Sequence, residues 1–537
     1  LIVKGTIQDH NAIPVGYATV LLKTKDSAYA TALSDTTGSF QLAIPAPGKY
    51  FLRITALGFR ELVTESFEID SASPSRDLGI VKLIPETKDL ANVTVTALRP
   101  TITQLPDRMV VSIEGTAMAQ GNTAFSLLSK SPGVSVDAEG NIQLNGSSGV
   151  NVMIDGRRSY LSARELRSLL ESMPAENIKN IEIITNPSSR FDAEGTAGIL
   201  NINLKKNTMQ GINGSVYTNY SYNFYKQHNV SVGGNINFKT GRWNAFLNTD
   251  LARREGGRNA TFTRIFKGNT TTYFDQSATG AYLSTGPPTF RGGADYTINE
   301  NHSIGFVAGY VNSKGKSEFL TDTYISSNRA APQQYIEADN FNTNTYTNIT
   351  GNLHYNGKLD TGGTSISADM DYVKITNRGE AFLNNYFTDL ATGNSTSDIL
   401  YNHTPNGYDI YSARLDFTKP YSPENKIEAG LKASSINSDN DYRFYFNNSG
   451  KVLDITRTNH FKYDEQIYAA YLNWNGRISK KITMQAGLRA EQTRSLGNSL
   501  TAGIRTSRKY TDLFPSIFFQ QTVSEHYGIN YSYGRRL

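Results

Sequence analysis

Ser365-Ile366-Ser367-Ala368-Asp369-Met370-Asp371-Tyr372 alternates strictly between polar and apolar side chains. A period of two sends successive side chains to opposite faces of an extended strand. One face here carries Ile366, Ala368, Met370 and Tyr372; the other carries Ser365, Ser367, Asp369 and Asp371. A dry core does not accept Asp369 and Asp371 unpaired, so the second face must be wet. Strands greasy on one side and watery on the other, repeated around one large domain, are the pattern of a transmembrane β-barrel.

The same alternation begins near residue 211 and continues from there. Val230, Val232, Gly234, Ile236 and Phe238 alternate with Asn229, Ser231, Gly233, Asn235 and Asn237, and Trp243, Ala245 and Leu247 with Asn244 and Asn248. Ile482 through Glu491 and Tyr527 through Tyr533 repeat it. Short polar turns fall near Thr240-Gly241, Asn299-Glu300-Asn301, Thr361-Gly362-Gly363, Ser422-Pro423-Glu424, Ser479-Lys480 and Ser524-Glu525. Between the pairs, residues 253–286, 313–342 and 376–409 read as long Asn/Ser/Thr/Gly-rich loops. Short turns on one side and long loops on the other are the asymmetry of an outer-membrane barrel. The count comes to about thirteen strands, and the sequence stops at Arg535-Arg536-Leu537 in mid-strand, so the C-terminal part of the barrel is expected to be missing.

Composition agrees. The mean hydropathy of −0.42 and the lack of an apolar run near the roughly 18 residues of a spanning helix exclude a helical membrane protein. Against two Trp stand 31 Tyr, which suit interfacial aromatic girdles. The absence of cysteine removes disulfides and thiolate metal sites. A net charge of +5 with no dense basic run speaks against nucleic acid as a partner. The chain opens on strand-like Leu1-Ile2-Val3-Lys4-Gly5, without the charged and apolar regions of an export signal.

Ahead of the barrel (207–537), three regions are expected. Residues 1–85 read as a small Ig-like or transthyretin-like β-sandwich, with apolar runs at Ala18–Leu22, Ser39–Ile44 and Tyr50–Ala56 and turn chemistry at Asp35-Thr36-Thr37-Gly38 and Pro45-Ala46-Pro47-Gly48. Residues 86–104 read as a linker holding one extended segment, Leu90 to Ala97. Residues 105–206 are mixed α/β. A helix from Thr123 to Ser129 is stopped by Pro132-Gly133, and a second follows the capping box Ser162-Ala163-Arg164-Glu165 and ends at Pro174. Strands are expected at Ile181–Thr185 and Ile199–Leu204.

Several of these segments resemble known modules. Gly5-Thr6-Ile7, Ile13 through Val20, Ser34-Asp35-Thr36-Thr37-Gly38-Ser39-Phe40 and Gly48-Lys49-Tyr50 through Leu57-Gly58-Phe59 resemble the carboxypeptidase regulatory-like domain. Leu127 through Val134, Gly149 through Arg157, Ser172-Met173-Pro174, Ile181 through Pro187 and Phe191-Asp192-Ala193-Glu194-Gly195 are similar to the plug of TonB-dependent receptors. The resemblance implies a Gram-negative outer-membrane location, with the N-terminal domain in the periplasm. It also implies import of a scarce ligand past the plug, driven by the inner-membrane proton gradient through TonB and its motor. Leu90, Val93, Thr94, Val95 and Thr96 match the family's TonB box, a strand that TonB would pair with by β-augmentation. Beside a predicted turn of the plug, Arg157, Arg158 and Tyr160 are candidate ligand-facing residues, although plain turn residues are the favoured reading.

Other motifs carry less. None of the seven His residues forms a zinc-protease motif, so no peptidase activity follows from the first domain's family. Lys314-Gly315-Lys316-Ser317 lacks the leading glycine and the helix of a P-loop, and Asn437, Asp439 and Asp441 alternate like a calcium loop but meet Tyr442 where its glycine belongs. Neither a metal, a cofactor nor a catalytic residue is expected, and no nucleophile cluster suggests a surface hydrolase. The inward acids Asp250, Asp295, Asp369, Asp371 and Asp416, with Arg291, Arg414 and Arg489, are expected to face the plug or wet wall. Lipid surrounds the barrel, and a surface lipoprotein or larger complex is compatible with it. Siderophore, oligosaccharide and peptide ligands all remain open. The alternative reading is an outer-membrane anchor or sensor that signals through residues 1–85.

Overall fold

The computed structural model describes residues 1–24, 28–44, 46–70, 75–86, 102–120, 122–137, 141–161, 163–195, 197–205, 210–327, 330–448, 450–524 and 527–537. The segment with Leu90, Val93, Thr94, Val95 and Thr96 lies outside them, as does the Ser162 cap.

Turn chemistry shapes the N-terminal sandwich. Asp35 Oδ1 accepts hydrogen bonds from the Thr37 and Ser39 amides at 2.8 and 2.9 Å. Gly38 sits at φ +78°, where a Cβ would meet the Ile7 carbonyl oxygen at 2.3 Å, so glycine is required there. This turn returns the chain into Ser39–Ala43, which pairs antiparallel with Ile2–Gln8, while Ser75–Lys82 pairs parallel on the other side. The facing sheet holds Ala28–Leu33, Thr19–Lys23, Gly48–Thr55, Leu62–Val63 and Phe67–Ile69. Val3, Ile7, Val20, Leu22, Leu42, Leu52 and Ile54 close the core between the sheets.

The next unit is a six-stranded sheet in the order Arg157–Arg158, Asn151–Ile154, Ile199–Leu204, Ile178–Ile184, Met109–Ser112, Ile102–Gln104. Helix α1 (Ala124–Ser129) starts where the Thr123 hydroxyl accepts the Ser126 amide at 3.2 Å. It packs with α2 (Ala163–Ser172) over the sheet, burying Leu127, Leu128, Leu170, Ile181 and Ile202.

Thirteen wall strands follow: β1 (Gly211–Tyr222), β2 (His228–Thr240), β3 (Trp243–Phe266), β4 (Thr272–Thr285 with Thr289–Asn299), β5 (His302–Ser327), β6 (Gln334–Lys358), β7 (Ser365–Asp389), β8 (Ser395–Ser422), β9 (Asn425–Phe446), β10 (Asn459–Ser479), β11 (Ile482–Ser499), β12 (Ile504–Thr522) and β13 (Gly528–Gly534). Each pairs antiparallel with the next. Strand β4 is broken at Gly286-Pro287-Pro288, because proline cannot donate to a ladder and a Cβ on Gly286 would meet the Asn312 carbonyl oxygen at 2.2 Å. Val452–Leu453 adds a two-residue pairing to β9 outside the wall. Among the described residues no ladder joins β1 to β13.

The decisive octapeptide behaves as its period requires. Met370 lies opposite Leu353 and Ala413, and Met370 and Leu353 are 63% and 59% exposed on the outer face. Asp369 lies opposite His354 and Arg414, on the inner face.

The stretches 253–286, 313–342 and 376–409 are not loops. They are largely paired hairpin arms that carry the wall strands past the membrane, β8 reaching 28 residues where about 9–11 tilted residues cross a bilayer. Above the bilayer both faces are wet. The apolar alternation therefore disappears from the sequence while the ladder hydrogen bonds continue. Lys314–Ser317 lie within β5, and Asn437, Asp439 and Asp441 within β9, where Asp439 pairs with His460 at 2.7 Å and Asp441 with Arg443 at 2.6 Å.

Candidate plug interface and lumenal cavity

The segment 186–195, leaving the plug sheet after Ile184, is the plug's main foothold on the wall. Asn186 donates to Ser532 Oγ at 2.8 Å, and the Ser189 amide to Ser516 Oγ at 3.2 Å. Arg190 lies 3.9 Å from Asp416 and 3.8 Å from Glu428. The Ala193 amide donates to Glu491 Oε1 at 3.2 Å. From the end of the chain, Arg536 donates to the carbonyls of Pro187, Asp192, Glu194 and Gly195.

Asp192 is the electrostatic centre. Its carboxylate accepts Lys432 Nζ at 2.5 Å and Arg489 Nη2 at 3.0 Å. Arg489 is 2% exposed and also binds Glu491. Burial disfavours the Asp192 charge, but Lys432 and Arg489 outweigh it and hold the pKa down at about 2.

The inner-face acids and cations behave as the alternation implies. Asp369 faces Arg157 of the plug at 3.5 Å, and Asp416 takes Arg414 at 2.6 Å and the Tyr471 hydroxyl at 2.5 Å. Asp371 accepts from Asn352 at 2.7 Å, and Asp295 meets His354 at 2.7 Å. Arg254 reaches Glu171 of α2 at 3.3 Å.

Arg157, Arg158 and Tyr160 follow a tight hairpin whose tip, Asp155 and Gly156, has φ of 52° and 77°. The tip is tied down: Asn201 Oδ1 accepts the Gly156 amide at 2.8 Å, and Asp155 Oδ1 the Leu204 amide at 2.8 Å. The three side chains then part. Arg157 turns to Asp369, and Arg158 pairs with Glu194 at 2.9 Å with its guanidinium 5.4 Å from the centre of the Tyr160 ring. Tyr160, with Leu161 and Ala163, lines one side of a cavity of about 660 Å³ whose other walls come from β5 to β8. Burial pushes the Tyr160 phenol up to about 12 despite Arg158, so it stays protonated near neutral pH.

The cavity walls carry Asn342, Asn344, Tyr346, Asn377, Asn406 and Tyr408. Tyr346, Asn377 and Asn406 stand opposite one another across β6, β7 and β8. Sequence reasoning missed these residues; Asn342, Asn377, Asn406 and Tyr408 sit where loops were expected, and Asn344 and Tyr346 follow directly after one. It also gave no role to Arg190 and Asp192, although Phe191-Asp192-Ala193-Glu194-Gly195 was one of the segments carrying the plug resemblance.

Beneath the plug, the Thr19 hydroxyl of the N-terminal domain accepts the Gly133 amide at 2.7 Å, and Glu86 pairs with Lys130. Leu57 packs against the plug core.

Comparison with known proteins matches residues 2–83 to the carboxypeptidase regulatory-like domain, 104–199 to the TonB-dependent receptor plug domain, and 357–537 to the outer membrane protein beta-barrel family. Among solved structures, the unliganded ferric citrate transporter FecA is similar over 79% of this chain at 14% identity, with a TM-score of 0.50. The chain spans 61% of that transporter's length. A ferric enterobactin receptor from Pseudomonas aeruginosa matches 80% of this chain and 93% of its own at 8% identity (TM-score 0.30). The ferric-catecholate import receptor Fiu from E. coli K12 matches 79% and 84% at 12% identity (TM-score 0.37). No curated protein matches the sequence.

Proposed function

We propose that this chain, which matches a carboxypeptidase regulatory-like domain, a TonB-dependent receptor plug domain and an outer-membrane β-barrel family in that order, is a TonB-dependent receptor that imports a scarce ligand past its plug under TonB control. The observation that carries the reading is the chemistry of the plug's foothold. Among the described residues, plug and wall meet through ion pairs and hydrogen bonds around Asp192, Arg190 and Ser189, and no apolar core cluster spans the two. A polar interface of this kind holds the plug at rest, and water can solvate both sides of it when the plug is pulled. An apolar seal would give up much of its stabilisation at each opening.

The pull would come from TonB, powered by the inner-membrane motor and pairing with Leu90 to Thr96 by strand addition. The ferric chelates named for the similar solved structures are one ligand class for such a receptor. The plug matches a receptor domain, and the solved structure of similar fold is a transporter, neither of them an enzyme. Deleting residues 90–96 in the full-length protein should abolish high-affinity uptake of the growth-supporting ligand while leaving surface binding intact. Unchanged uptake would refute TonB coupling.

The contact between Thr19 and Gly133 favours a second reading, in which plug movement is passed to residues 1–85 as a signal. Removing that domain while retaining uptake would show that the relay is not obligatory for transport.

A further inference from the structure

Among the described residues, none that lines the cavity above the plug carries a formal charge. Its polar groups are the amides of Asn342, Asn344, Asn377 and Asn406 and the hydroxyls of Ser317, Thr343 and the tyrosines. Two of the amide oxygens, Asn344 Oδ1 and Asn377 Oδ1, are buried and have no hydrogen-bond partner. Buried acceptors left unpaired are costly, and a ligand that brings donors removes the cost. Tyr160, Tyr346 and Tyr408 add flat apolar surface on both the plug and the wall side.

We propose that this cavity binds a neutral carbohydrate. Sugar hydroxyls both donate and accept, which suits amides and phenols, and the C–H faces of pyranose rings suit tyrosine rings. At about 660 Å³ the space falls within the usual range of ligand pockets, roughly 300–1,000 Å³, and admits a short oligosaccharide. An anionic metal chelate, or a peptide with free termini, would bring formal charge that none of the described lining residues meets, and a desolvated charge without a partner is expensive. Of the ions on the same hairpin and on β7, Arg158 pairs with Glu194, Arg157 lies 3.5 Å from Asp369, and Asp371 accepts from Asn352. The ligand class deepens the importer reading and rests on it for its biological meaning, but the two fail separately.

The test is calorimetric titration of the full chain in detergent. The neutral probes are maltotriose, cellotriose, xylotriose, mannotriose and triacetylchitotriose, and the charged comparisons are ferric enterobactin and trialanine. Saturable binding of at least one neutral trisaccharide is expected, with neither charged probe competing. Asn377→Leu should weaken that sugar about tenfold, and Asn377→Gln, which keeps the amide, should weaken it less. Binding by no neutral sugar, or displacement of the sugar by ferric enterobactin or trialanine, would overturn the proposal. Should the variants fail to fold, the unaltered chain alone still decides it. Sugar binding with uptake that survives deletion of residues 90–96 would sink TonB coupling and leave the ligand class standing. Uptake of ferric enterobactin that requires those residues, without sugar binding, would sink the ligand class alone.

Discussion

Asp192 shows how one side chain gathers the charge of a large interface. It belongs to the plug, while Lys432 and Arg489, its two cations, belong to β9 and β11. Its folded pKa, about 2, lies below the roughly 3.9 of a free aspartate. For a depressed carboxylate, the contribution to stability is fully present above the unfolded pKa and is lost as pH falls through the folded one. Plug attachment should therefore be insensitive to pH from neutrality down to about 4 and weaken between about pH 4 and 2. Hydrogen exchange of residues 186–195 across that range checks it. Asp192→Asn should remove the acid-dependent step, and an unchanged profile in that variant would assign the step elsewhere.

Strand β11 shows what an element contributes that a residue cannot. It brings Gly487 so close to the plug that an added Cβ would meet Ser189 Oγ at 2.1 Å and Asn473 Oδ1 at 2.5 Å. Two residues along on the same face, Arg489 reaches Asp192, and Glu491 reaches the Ala193 amide. The period of two that makes one face greasy thus also aligns a glycine, a cation and an acid along the plug. Gly487→Ala should push segment 186–195 away from the wall. Its amides should then exchange at least about tenfold faster, a change of roughly 1.4 kcal/mol in local opening, while the β11 ladder remains protected. An unchanged exchange rate would mean that Ser189 and Asn473 turn aside without cost.

In the whole molecule, three units that are separate in sequence touch in order: sandwich to plug, and plug to wall. The first contact is narrow, resting on Thr19 with Gly133, Glu86 with Lys130, and Leu57 against the plug core. Thr19→Val keeps the shape of the side chain but removes the acceptor, leaving the Gly133 amide without it. That amide should exchange about fivefold faster, while the sandwich core around Leu22 and Leu52 is unaffected. Equal rates would show that the hydroxyl does not hold the two units together.

Much of this architecture was legible in the residues. The alternation at 365–372 set the two faces of the wall, and the polar turns near Thr240, Asn299, Thr361, Ser422, Ser479 and Ser524 fell where the chain reverses between wall strands. Thirteen strands were countable because the bilayer forces one face of each to be apolar, and that requirement is written locally, residue by residue. The hairpin arms beyond the bilayer were not legible, since water on both faces leaves no periodic mark. Nor was the site. Asp192 and Arg489 are 297 positions apart, and Tyr160 and Asn377 share one cavity only after the plug is seated. Side-chain period is a property of neighbouring residues, so the sequence alone determined which face of each strand meets lipid. Which charge meets which, and what the lumen can hold, depend on distances between remote segments, and only the packing of plug against wall decided them.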